Sequence, residues 1–369
     1  MRSKLSVVAA LLGTCLALTL PSAQAADASV SSGATPSLAA GPKVSISSIT
    51  QSLPSLPQYT QVEMPIYKKV PEWSHGRVTF QPSTWAESSV SGSDILRLIR
   101  EEQAEIGAAP FATVSGDLPF LEVADLAGES PTIEMARKIT DAVIPEANKQ
   151  LERFGVKIIG SYPFPANILF CRQPVANLDA LKARKVRTFG PSQNDLMGQL
   201  GAQSVSIGFP EVYPALSTGV ADCAITAAMS ANAAKWPEVT RSMYNLPISW
   251  GTGGYFVNLR WWNKQTPEVR TFLTAVYAQI TEQEWKLGAD GTAAGVACNI
   301  GDAKNCHLGT LVTSHPMTVV EPSAADKAKL QTLLRTVIVP NWVKRCGAAC
   351  GVAFNESVAP VLGFKYEAK

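Results

Sequence analysis

The side chains best able to do chemistry in this sequence are six of its seven cysteines and its three histidines, and their spacing argues against most of that chemistry. His75, His307 and His315 sit in no G-x-S-x-G or H-E-x-x-H context, and no Walker or dinucleotide-type glycine pattern occurs. A Ser-His-Asp triad converges only in space, so the sequence leaves that option open. Cys346 and Cys350 are separated by one residue more than a thioredoxin-type motif allows, and they read better as a structural disulfide. Cys298 and Cys306 are close enough to form a second local bridge. His307 beside Cys306 invites a zinc reading, but the spacing matches no C-x-x-C…C-x-x-C or C-x-x-C…H-x-x-x-H pattern. Neither a metal nor a cofactor is expected. Cys171 and Cys223, each within an expected strand, are read as free, buried thiols.

Disulfides presuppose an oxidising compartment, and the start of the chain supplies the route to one. Arg2 and Lys4 precede an uncharged apolar stretch of about 16 residues, and Ala23-Gln24-Ala25 is a small-x-small cleavage site. That stretch is short of the roughly 20 residues that span a bilayer. Residues 1–25 are therefore expected to be a cleaved export leader, and the protein to leave the cytoplasm for an oxidising compartment. Without them, 30 basic residues balance 30 acidic ones, which argues against nucleic acid as a partner. The chain has 369 residues, of which 46% are hydrophobic and 17% charged. That is enough apolar material for a large core and suggests two domains or one large one. It also excludes a disordered chain.

The elements that must position any site follow from periodicity. Residues 26–42 are rich in Ala, Ser, Gly and Pro and are expected to form a flexible linker. Short strands are expected at 43–46 and 77–80, and a helix at 94–105 with Ser93 as its cap. Ser130-Pro131 is expected to open a helix whose apolar face runs Met135, Ile139, Val143, Ala147 and Leu151. Strand and helix patterns then alternate to residue 227, which argues for α/β layers around largely parallel sheets. Thr266-Pro267 opens the longest helix, with Val269, Leu273, Val276 and Ile280 on one face. Ser323 caps a final helix that Pro340 is expected to interrupt.

Three ordered segments carry a resemblance. "PVANLDALKARKVRTFG" (174–190) is followed by "LGAQSVSIGFPEVYPALSTGVADCAIT" (200–226) and "GYFVNLRWWNKQTPEVR" (254–270). In this order and spacing they resemble the solute-binding proteins of tripartite ATP-independent periplasmic (TRAP) transporters, often labelled dicarboxylate-binding. The resemblance implies an α/β fold of two periplasmic-binding-protein-like domains, joined by crossing strands and a long hinge helix, with the ligand trapped between them. The domains are expected at 43–163 plus 252–290 and at 164–251 plus 291–369. It implies no enzymatic activity, a small organic acid as ligand, TRAP permease membrane subunits as partners, and a monomer. A periplasmic sensor built on the same fold is the alternative, and an exported enzyme is a more distant one.

The resemblance also assigns Arg187 as the partner of the ligand carboxylate. The chemistry fits, because a guanidinium presents a planar, permanently charged fork that matches a carboxylate and that Lys cannot reproduce. Where many relatives carry a second Arg, this chain has Ala166 and Asn167; Arg172 is the nearest substitute. Where relatives have a polar Asn, it has Thr226. One cation and a hydroxyl suit a monocarboxylate, or an acid with an apolar body, better than a doubly charged acid. Trp85 and Trp250 are candidates for the wall around that body. The expected ligand residues are thus Arg187, Thr226, Asn167, Trp85 and Trp250.

Overall fold

The structure is a computed structural model that describes residues 35–368. The expected leader lies outside the described residues, as does the first part of the linker. The end of that linker is tied down. Leu38 is buried, and its N–H donates to the Trp73 carbonyl at 2.9 Å. An apolar side chain amid small residues has found an apolar helix, Met64–Trp73, to dock on.

The chain contributes β1 (Val44–Thr50), β2 (Val78–Thr84), β3 (Ile106–Pro110) and β4 (Val156–Tyr162) to one sheet. It then crosses to a second sheet with β5 (Asn167–Cys171), β6 (Lys185–Thr188), β7 (Gln203–Ser206), β8 (Cys223–Ala227) and β9 (Ser242–Ser249). It returns through β10 (Gly253–Asn258), and β11 (Thr318–Val320) is added to the second sheet late in the chain. The orders are β2-β1-β3-β10-β4 and β11-β9-β5-β8-β6-β7. β5, β8 and β10 are buried along their whole length, as continuous apolar runs at the centre of a sheet require.

The sheets are mixed rather than largely parallel, and the departure has a single topological cause. β5 and β10 are the strands that have just crossed from one sheet to the other. Each runs antiparallel to both its neighbours, while the remaining pairs, such as β1 with β2 and β6 with β8, are parallel.

The long helix Pro267–Asn299 links the same two regions. Its cap is as expected, with the Thr266 side chain accepting from the Val269 N–H, and at 33 residues it is about 50 Å long. Its first half buries Val269, Phe272, Leu273, Val276, Tyr277 and Ile280 with Val62, Ile106 and Val257 beside the first sheet. Further along, Trp285 joins Phe170 and Met243 of the second sheet. Gly291 and Gly295 lie where it passes between them. A Cβ at Gly295 would come within 2.5 Å of the Met229 backbone nitrogen, and one at Gly291 would overlap the Met229 side chain. Only glycine permits that approach.

Other expectations shift at their edges. The helix expected from Ser130 runs Ile133–Glu152 and is capped by Thr132, whose side chain accepts from the Met135 N–H; Ile139, Val143, Ala147 and Leu151 are buried as the pattern required. The expected 94–105 helix shortens to Ile95–Arg100. The regular helix Ala324–Leu333 does give way ahead of Pro340, to a π-helical turn at Leu334–Ile338, and resumes as Val339–Cys346; the wider turn accommodates the proline ring and its missing N–H.

All six described cysteines are paired. Cys298–Cys306 and Cys346–Cys350 form as the spacing suggested. Cys171 and Cys223 are not free thiols but a third disulfide. They stand directly opposite each other on antiparallel β5 and β8, with Cα atoms 4.1 Å apart, a proximity that a separation of 52 residues conceals. Non-reducing peptide mapping should recover these three pairs and no others. In the chain-entropy account, closing the Cys171–Cys223 loop stabilises by roughly 4 kcal/mol and the Cys298–Cys306 loop by roughly 2.5 kcal/mol. The Cys171→Ala/Cys223→Ala protein should therefore lose more stability in urea than the Cys298→Ala/Cys306→Ala protein; the reverse order would contradict the pairing.

Candidate functional site

The two crossings leave a cavity of about 370 Å³ between the sheets, a size suited to a small molecule. Gln51, Ser52, Trp85 and Tyr162 wall it on the side of the first sheet. Asn167, Arg187, Phe189, Phe209, Thr226 and Ser230 wall it on the side of the second. Arg187 is the only charged side chain among the described residues that line it.

Arg187 stands on β6, between β7 and β8, and is 3% exposed. Its Nε donates to the Ile207 carbonyl at 3.1 Å and its Nη1 to the Ile225 carbonyl at 3.0 Å. The Phe189 and Phe209 rings lie 5.3 and 5.9 Å from the guanidinium carbon. Two carbonyls and two rings orient the group but do not neutralise it. No carboxylate pairs with it, and Nη2 has no hydrogen-bond partner, among the described residues. Burial pushes its pKa down to about 9, so at neutral pH it still carries its proton. A buried cation without a counter-charge is unfavourable unless an anion joins it.

Of the other expected ligand residues, three line the same cavity. Thr226 lies near the end of β8. Asn167 opens β5 at the first crossing and donates from Nδ2 to Ser249 Oγ at 3.0 Å. Trp85 begins the turn after β2, where Thr84 and Glu87 form a reciprocal cap. Its Nε1 donates to the Ala108 carbonyl at 3.1 Å, which fixes the ring against Gly92. Trp250 does not line the cavity. The second crossing turns its indole away, to donate to the Ser130 carbonyl at 2.8 Å, while Asp125 Oδ1 accepts from its backbone N–H at 2.7 Å. Arg172 offers no second cation to the cavity; its guanidinium lies beside Gly219. Sequence reasoning missed Gln51, Tyr162, Phe189, Phe209 and Ser230. Phe189 was within reach, two positions beyond Arg187 in the same motif. Gln51 was not, since its place depends on a backbone φ of 28°.

Residues 50–338 match the family model of the bacterial extracellular solute-binding proteins, family 7. The chain belongs to that family. Solved structures share its fold at low identity. DctP7 of Bordetella pertussis, an extracytoplasmic solute receptor binding pyroglutamic acid, superposes with a TM-score of 0.75 at 18% identity, covering 85% of this chain and 98% of its own. A TRAP periplasmic solute-binding protein from Desulfovibrio salexigens with bound orotic acid gives 0.75 at 16% identity over 86% and 100%. A solute-binding protein of Sulfitobacter sp. strain NAS-14.1 is 35% identical over 82 residues, 22% of this chain; the match spans 25% of that relative's length. No helix among the described residues is long and apolar enough to cross a membrane.

Behind the first-sheet wall of this family-7 cavity lies a group of buried acids. Glu63 accepts from Gln51 Nε2 and from Tyr255 Oη, each at 2.8 Å, and from Thr50 Oγ1. Burial nevertheless pushes it up to about 7. Glu284, on the long helix, is fully buried near Tyr255, and neither of its oxygens has a partner in good hydrogen-bond geometry among the described residues. Burial, reinforced by Glu63, pushes it well above the usual carboxylate range. A carboxyl whose pKa is raised in the folded state contributes stability that is present below the unfolded value and is lost as pH rises through the folded one. The protein should therefore be more stable at pH 5 than at pH 8. Glu284→Gln should flatten that slope, by up to about 1.4 kcal/mol per pH unit for one proton. Thermal melts across this range measure it; a slope unchanged by the substitution would contradict a protonated Glu284.

Proposed function

We propose that this protein is an extracytoplasmic solute receptor that closes on a small organic acid and delivers it to a TRAP-type membrane permease. The observation that carries this reading is Arg187, a buried guanidinium that lines the cavity with no counter-charge among the described residues. A ligand carboxylate supplies the missing charge and takes the free side of the fork. Asn167, Thr226 and Trp85 complete the binding set, and Trp250 supports the crossing instead.

Several observations support the setting. Pyroglutamic acid and orotic acid, bound by proteins of the same fold, are both small acids. The three disulfides suit an oxidising compartment, consistent with export by residues 1–25 and a periplasmic monomer. The lobes correspond to 43–163 plus 252–290 and to 164–251 plus 291–369, hinged at the two crossings and the long helix. Closure is then a rigid-body motion about these connections, and ligand drives it only by preferring the closed form. The cavity hydroxyls have no acid or base beside them among the lining residues, which favours binding without chemistry.

A thermal-shift screen of organic acids should reveal the ligand class; at about 100 times its dissociation constant an acid stabilises by roughly 2.7 kcal/mol. Titration calorimetry with the best acid should then show Arg187→Ala losing about 2–5 kcal/mol of binding, which is roughly 30-fold to several-thousand-fold in affinity. Arg187→Lys, which keeps the charge but loses the fork, should fall between. Circular dichroism checks that both variants fold. Unaltered affinity in a folded Arg187→Ala protein would overturn the assignment.

A further inference from the structure

We propose that this cavity selects monoanionic acids with an uncharged body and rejects both dicarboxylates and amino-acid zwitterions. The inference rests on the receptor reading above and narrows its ligand by charge. With Arg187 engaged by one carboxylate, the rest of the described lining is hydroxyl, amide, peptide and apolar surface. A second carboxylate would leave water and meet no cation. Arg172 is turned to Gly219, and the groups behind the first-sheet wall include the acids Glu63 and Glu284.

Those acids do not serve an ammonium group either. Glu63 is 0% exposed, and its two oxygens already accept from Thr50, Gln51 and Tyr255. The Gln51 amide, itself a lining residue, stands between that carboxyl and the cavity. Glu284 is likewise fully buried and does not line the space. An α-ammonium would thus be desolvated opposite neutral groups and beside a guanidinium of like charge. Neutral polar groups are treated differently. The lining hydroxyls and amides, Ser52, Asn167 and Thr226 among them, can bond an N–H or O–H on the ligand body, whereas a second charge meets no counter-charge among the described lining residues.

The test uses pairs matched in size and differing in charge: pyroglutamate against proline, lactate against alanine, and monomethyl succinate against succinate. Each is titrated calorimetrically into the full mature protein at pH 7.5. The monoanion of each pair should bind about 100-fold or more tightly than its partner, as expected when a buried charge is left unpaired. Any residual succinate binding should strengthen about tenfold per unit as pH is lowered, because the species bound must take up a proton. Proline, alanine or succinate binding within tenfold of its match, with binding still dependent on Arg187, would overturn the charge selection and leave the receptor standing. If none of the six acids binds, the receptor for small organic acids fails, and this inference fails with it.

Discussion

A guanidinium buried at a cavity with no counter-charge among the described residues is the constraint around which this structure is arranged. Arg187 is on the inner part of the second sheet, held by the Ile207 and Ile225 carbonyls and flanked by two phenylalanine rings. These partners lower the cost of burying its charge and fix the direction of its fork, but they leave it electrically unmatched. Such a group is unfavourable in isolation and becomes favourable when an anion enters. The same burial that penalises the empty site therefore strengthens the occupied one, since a charge pair gains as water leaves.

The remaining architecture makes that exchange possible. The two crossings and the long helix Pro267–Asn299 connect both sheets, so the walls of the cavity are contributed by both. Asp125 secures the second crossing by accepting from the Trp250 N–H, and burial pushes its pKa up to about 8. Together with Glu63 and Glu284 it gives the protein several carboxyls that are easier to bury protonated than charged. The buried positive charge faces the cavity, while Glu63 and Glu284 lie behind its opposite wall. Among the described lining residues, the only charge the cavity presents is thus positive.

Much of this was legible in the sequence, and the divisions have physical causes. Strong periodicity exposed the long helix and the buried faces of Ile133–Glu152, because amphipathic spacing survives without tertiary context. Arg187 was reached through the family motif that contains it, since an arginine in a short strand does not by itself announce burial. What failed depended on pairing across distance. Cys171 and Cys223 meet through strand register, the mixed sheets follow from the crossings, and Trp250 turns away because Ser130 and Asp125 hold it. Gln51 reaches the wall through a left-handed backbone that its residue type does not announce. The sequence signal marked the cation and the general place of the cavity, whereas the uncharged wall around it emerged only from the fold.

The most direct test of the central claim is a high-resolution crystal structure of the protein with the acid it binds. The account predicts a single ligand carboxylate in the cavity, accepting hydrogen bonds from the Arg187 guanidinium at about 2.7–2.9 Å, with Ile207 and Ile225 still holding the other side of the fork. A ligand whose carboxylate is held elsewhere, or Arg187 paired with a carboxylate of the protein itself, would contradict it.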